Sequence, residues 1–322
     1  MTRQAISRST ALGGRQFVLR GTAIGIVVMV GLGYAVVHLG APAFSIDGRV
    51  YAEAARTWLE GGDPWATEVQ GLSLAAPPTV LLVATPLALL PSALIGLVSV
   101  AIAATCAVIA VRLARVGWWW LLTIPVVEGV MVGSLDLLAV ALMIWALRSE
   151  GGRARLVGVA VAVLAKPYAL LPAIALGRRS VVLAGALAVI VTAPFLPWPR
   201  YIAEFSALSR LLVQQAGNGI GSPWATPILL PPTIVALVIL GRRDGSWLLV
   251  PALWPATQVH YSVFMIPVGS PVLALVSLAP VPAPAAVAVM ALAIVRWTQG
   301  QLDPWSWVPD RWTPAGRSVA GV

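Results

Sequence analysis

The stretch FSIDGRVY, from Phe44 to Tyr51, sets a carboxylate, a guanidinium and a phenol just past the chain's first apolar run. A carboxylate there can take a proton from a hydroxyl as a general base. It can also, like Ser45, cap a short helix from Arg49 to about Glu60, and the two roles are compatible. In LAKPYALLP, Lys166 lies deep in another apolar run, beside the helix-breaking Pro167. A charge so placed costs about 2.5–3.5 kcal/mol in a membrane helix, so it must face a cavity or a partner. As a compact cation it suits a phosphate. The competing readings are an ion pair with Glu128 or Asp136, or snorkelling from a helix end. Glu128 and Asp136 flank the break EGVMVGSLD and could line one cavity. No His or Cys accompanies them at ligand spacing, so no metal site is expected. His260 precedes Tyr261 in WPATQVHYSVFMIP. A lone His beside Tyr is more often structural, yet its place allows hydrogen bonding to a polar ligand. The stretch from Trp198 to Trp224 adds Arg200, Tyr201, Gln214, Gln215, Asn218 and Ser222.

These residues sit in a chain that is 59% hydrophobic and only 10% charged, with a mean hydropathy of +0.89. Soluble domains average about 25% charged residues. So few charges cannot cover a soluble surface of this length, and hydrocarbon is the solvent that tolerates the composition. The apolar runs are continuous and rich in Leu, Ala and Val, which predicts helices rather than the alternating strands of a barrel. The net charge of +9 sits mostly between apolar runs, where it reads as a topology signal and not as a nucleic-acid surface. The single Cys106 lies within an apolar run and excludes a disulfide framework.

The expected architecture is an all-α polytopic integral membrane protein of about nine to eleven helical segments, some of them short broken hairpins. Residues 1–20 form a cytoplasmic tail, 21–296 one membrane domain, and 297–322 a Trp- and Pro-rich tail. Basic pegs at Arg112 and Arg115, at Arg148, Arg153 and Arg155, at Arg178 and Arg179, and at Arg242 and Arg243 are assigned to the inside. That leaves 41–75, 128–136, 197–223 and 255–262 on the outer face. The first of these carries an amphipathic helix suited to the membrane surface, with Val50, Ala54, Trp58 and Leu59 roughly on one side. The segment between Arg155 and Arg178 is short for two pegged ends and predicts two half-length helices meeting at Pro167. Residues 76–111 read as one crossing with an interfacial lead-in.

Taken in order, these stretches resemble the polyprenol-phosphate-mannose-dependent glycosyltransferases of family 87, in the GT-C superfamily. DGRVYAEAARTWLEGGDPW is similar to that family's first-loop pattern, and AAPPTVLLVATPLALLP to its Tyr-Pro-Pro segment, with Ala76 in place of Tyr. VAVAVLAKPYALLPAIALGRR resembles its Lys-Pro hairpin, GNGIGSPW its Asn-x-Ser loop and VHYSVFMIP its late His motif. Its Gly-Gln-x-Asn motif stands here as Gly133-Ser134-Leu135-Asp136. The resemblance, over about residues 44–270, implies a GT-C-like bundle in the cytoplasmic membrane with an outward-facing site. It implies transfer of a hexose, mannose in the family, from a polyprenyl-phosphate sugar to a lipid or glycan acceptor, with inversion and without a cofactor or metal. Asp47 would be the general base. Lys166, Arg49, Arg200 and His260 would serve the donor phosphate, and Tyr51, Asp136, Glu128, Asn218, Ser222 and Tyr261 would contact substrate. Broken helices with buried charges also mark transport pathways, so a carrier or flippase of lipid-linked substrates is the competing class. An inactive scaffold of the same fold is the third.

Overall fold

A computed structural model describes residues 21–22, 24–34, 36–37, 44–149, 152–277 and 281–307. The N-terminal tail, and the C-terminal tail past 307, lie outside the described residues. The chain is all-α apart from one small hairpin. Its α-helices are α1 (Ile24–Tyr34), α2 (Ile46–Leu59), α3 (Thr79–Ala88), α4 (Ser92–Ala114), α5 (Ile124–Met131), α6 (Leu135–Arg148) and α7 (Arg153–Ala165). There follow α8 (Leu171–Ala175), α9 (Arg179–Val191), α10 (Trp198–Gln215), α11 (Leu230–Ile239), α12 (Gly241–Leu253), α13 (Pro271–Val276) and α14 (Pro284–Thr298). Among the described residues, α4 alone is long and apolar enough to cross a membrane, at 23 residues. The pair α5–α6, bent by 118°, makes a second such segment if it is one span.

Three local features place the chemistry. The first is the break between α5 and α6, at Gly133. It has φ +69°, a backbone conformation open to glycine, and a Cβ there would meet the Ser99 Oγ at 2.7 Å. The last turn of α5 leaves carbonyls without intrahelical partners, and the first turn of α2 leaves amides in the same state. The two ends meet: Ser45 donates its N–H to the Met131 carbonyl at 2.7 Å, and Asp47 and Gly48 donate to Val132 at 3.0 and 3.3 Å. Carbonyls of α5 thus do what a side-chain cap would do. Neither Ser45 nor Asp47 caps α2; the Ser45 hydroxyl pairs instead with Ser99 at 2.7 Å.

The second feature is the end of α7. A residue before proline is pushed out of the helical region, and Lys166 is extended, at φ −147° and ψ 99°. The expected hairpin takes a different form here. Beyond a single-turn segment, Pro167–Leu170, α8 has only five residues, and it packs on α12 rather than back along α7. The third is a two-stranded hairpin, Glu68–Val69 with Leu72–Ser73, turned by Gln70 and Gly71 with φ of 52° and 80°. Two successive positive φ values match the strand twist of a tight hairpin.

Two larger apolar cores result. One joins residues of α4, α6, α7, α12, α14 and the 3₁₀ segment Val259–Val268. The other joins α2, α3 and the hairpin. The helix α2 is no surface-lying amphipath over its first half: Ile46, Val50, Tyr51, Ala54 and Ala55 are buried against α3 and α4, and only its end near Leu59 is exposed. Residues 76–111 form the short α3 and the long α4, separated at Pro91. The second expected loop is largely the helix α10, because Tyr201, Phe205, Leu208 and Leu212 recur at helical spacing.

Candidate functional site

A cavity of about 250 Å³ lies at the seam of the two cores. Its polar lining includes Asp47, Tyr51, Lys166, Tyr168 and Tyr261, with Tyr201, Gln215 and Gln258 further round, and its walls are mostly apolar, with Val50, Leu74, Phe205 and Leu208 among them. Asp47 stands in the first turn of α2, where the helix dipole favours an anion. Its side chain is 21% exposed. Burial pushes its carboxyl above the ordinary carboxylate range, and the charges of His260 and Lys166 pull it part of the way back.

The Lys166 ammonium has three donors. One meets the Tyr51 hydroxyl at 3.0 Å and a second the Asp136 Oδ2 at 3.3 Å. The rings of Tyr51, Tyr168 and Tyr261 surround it, with centroids at 5.4, 5.8 and 5.5 Å. Among the described residues Lys166 makes no further hydrogen bond, and it lines the cavity. Asp136, fully buried, is the hub behind it. It accepts from the Ser134 hydroxyl at 2.6 Å and from the Tyr168 hydroxyl, and it faces His260 Nε2 at 3.5 Å. On the other side of the imidazole, Nδ1 lies 3.5 Å from Glu128, and Glu128 accepts from the Tyr34 hydroxyl at 2.9 Å. The His260 Nε2 is 3.8 Å from Asp47 and has no hydrogen-bond partner among the described residues. Burial draws the His260 imidazole down while Glu128 and Asp47 push it up, and the push prevails, so it sits above the ordinary histidine range.

The structure thus gathers seven of the eleven expected residues: Asp47, Tyr51, Glu128, Asp136, Lys166, His260 and Tyr261. It changes the place of three of them. Asp136, Glu128 and His260 do not line the cavity but stand behind its wall. The other four are elsewhere. Arg49 turns toward Gly96 on α4, where a Cβ would come within 3.4 Å of its guanidinium. Arg200 is half exposed and paired with Asp63 and Glu204, because α10 turns it outward. Asn218 is exposed in a left-handed turn, and the buried Ser222 accepts from the Trp224 amide as the cap of a 3₁₀ turn. Sequence reasoning missed Tyr168, as well as the hydroxyls of Tyr34 and Ser134 behind the wall. The signal for Tyr168 was its place two residues after Lys166, which is the chain's only lysine.

Among the described residues, no group of His, Cys, Asp and Glu has the arrangement of a metal site. Set beside known proteins, the chain matches no family model, no curated protein and no solved structure.

Proposed function

We propose that this chain is an integral membrane glycosyltransferase of the GT-C type. It moves a hexose, mannose by the resemblance, from a polyprenyl-phosphate sugar to a hydroxyl of a lipid or glycan acceptor at the outer membrane face. The observation that carries the reading is the shared cavity: Asp47 and Lys166, far apart in sequence, line one partly enclosed space whose remaining wall is mostly apolar. A proton acceptor and a cation in one cleft suit a displacement that deprotonates a nucleophile and releases an anion.

The step balances as follows. The acceptor oxygen forms its bond to the anomeric carbon while its proton passes to an Asp47 oxygen. The bond from that carbon to the phosphate oxygen breaks, its electron pair leaves with the polyprenyl phosphate, and the anomeric configuration inverts. Lys166 offers its third N–H to the leaving oxygen. Tyr51 and Tyr261 border the same space and can orient the sugar. The apolar wall suits an isoprenoid or acyl chain.

The membrane part of the reading has its own support. In α9 only Val181 and Gly185 are buried, while Leu183, Leu187, Ile190 and Val191 are each more than half exposed. On α4, Leu97 is 65% exposed, and Ile234, Val235 and Val238 of α11 are bare as well. Apolar surface of this extent is unfavourable in water and neutral in hydrocarbon. Shorter helices such as α9 and α11 then reach across only with their neighbours and connecting turns, as broken segments do where protein surrounds them.

One observation favours transport instead: the Lys166 charge is already matched by Asp136, as in an intramembrane relay. The deciding experiment uses purified protein with a labelled polyprenyl-phosphate hexose and lipid acceptors. Transfer by the wild type, lost in Asp47→Asn at unchanged expression and folding, supports the enzyme. Full activity in Asp47→Asn refutes the base, and movement of the intact donor across vesicles without transfer supports the carrier.

A further inference from the structure

We propose that Glu128 and Tyr34 are positioning residues for Asp47, acting through His260; this rests on the reading of Asp47 as the base. The Tyr34 hydroxyl holds one Glu128 oxygen at 2.9 Å, and the other Glu128 oxygen faces His260 Nδ1 at 3.5 Å. With Nδ1 turned to Glu128, the Nε2 edge must face the opposite way. There it meets Asp136 Oδ2 at 3.5 Å and Asp47 Oδ2 at 3.8 Å, and it is buried without a hydrogen bond to either. Tyr261 stands against the ring edge-on, with centroids 5.0 Å apart.

The groups around the imidazole are Asp47 from α2, Glu128 from α5, Asp136 from α6 and the adjacent Tyr261 phenol, with Lys166 beyond Asp136. Three carboxylates face one ring, so the imidazolium is the form that this setting favours. Its Nε2–H lies between two acceptors, of which Asp136 already takes hydrogen bonds from Ser134 and Tyr168. Among the described residues Asp47 has no such donors, and the imidazolium, with Lys166 beyond it, is the charge that favours its ionised form before an acceptor binds. When Asp47 takes the acceptor's proton it loses its charge and with it its attraction for the imidazolium, which is then left facing Asp136. Glu128 fixes the ring in both states, and Tyr34 fixes Glu128.

The test reads the imidazole directly. The chain has two histidines, so ¹⁵N-histidine NMR in a His38→Gln background reports His260 alone. In Glu128→Gln the imidazolium should titrate about one pH unit lower, a tenfold change in its proton affinity. Tyr34→Phe should move it the same way by less, and it keeps the test open if Glu128→Gln does not fold. The acid limb of the transfer rate should shift upward in pH in the same order. Unmoved midpoints and an unmoved limb in a folded variant would overturn the proposal, even with rates lowered evenly at every pH. Absence of transfer by the wild type refutes the enzymatic reading instead, and the imidazole midpoint still decides whether Glu128 holds His260.

Discussion

The buried pair of Lys166 and Asp136 gives the most quantitative prediction. At 3.3 Å, with side chains 8% and 0% exposed, an effective dielectric of about 20 gives an attraction of about 5 kcal/mol. Desolvation of both ions takes back most of that, so the pair contributes little net stability, whereas leaving one ion alone costs about 3–5 kcal/mol. The two halves are unequally supported. After Lys166→Met, Asp136 keeps the Ser134 and Tyr168 hydroxyls and the His260 edge. After Asp136→Asn, Lys166 keeps one hydrogen bond, to Tyr51, and three ring faces.

Lys166→Met should therefore lie near the low end of that range and Asp136→Asn near the high end. The double variant should be no worse than Asp136→Asn alone, giving a coupling of at least about 3 kcal/mol. Reversible unfolding in mixed detergent micelles, followed by fluorescence of the 14 tryptophans, measures all four corners of the cycle. A coupling under about 0.5 kcal/mol, the spread expected of independent sites, would refute the reasoning and return Lys166 to the role of an unpaired cation. Donor binding by the double variant adds a second reading: it should be lost although the fold is retained.

The remaining predictions concern Asp47 and its neighbours. Burial raises the Asp47 carboxyl above its unfolded value of about 3.9. Between those two values the folded state binds more protons than the unfolded, so this group's contribution to stability falls as pH rises through the window. Transfer should rise over the same window as the base ionises; the wild type minus Asp47→Asn difference in melting profiles isolates the first effect, and a pH–rate profile reads the second. In Gly48→Ala the new Cβ would sit 2.4 Å from the Ser99 Oγ. It should cost about 1–3 kcal/mol by overpacking and lower transfer by displacing Asp47, with stability partly restored by adding Ser99→Gly. Arg200→Ala should cost under about 1 kcal/mol, as exposed ion pairs do, and leave the donor KM within about twofold, checked by melting and steady-state kinetics.

The breaks were legible in the sequence because they depend on local sterics. Pro167 fixes where α7 ends, and Gly133 fixes the turn from α5 to α6. Each break carries a charged residue next to it or three positions on, Lys166 and Asp136, and that adjacency is what marked both as site candidates. The arginines misled for the opposite reason. A guanidinium on a long flexible stem is placed by whichever face its helix turns outward, and for Arg200 that face is set by the apolar stripe of Tyr201, Phe205 and Leu208, not by the arginine. His260 and Glu128 were recognisable as polar groups near the site, but not as a layer behind it. That distinction depends on the meeting of the ends of α2 and α5, a backbone contact between segments some 85 residues apart, from Ser45 to Met131, that no local pattern encodes. The same contact supplies the link from fold to chemistry. The carbonyls of Met131 and Val132 hold the amides at the start of α2, Asp47 lies in that first turn, and Asp136 lies in the first turn of the next helix. A shift of α5 would therefore move the proposed base and the counter-ion of Lys166 together, so the site is kept in register by backbone hydrogen bonds rather than by its charges.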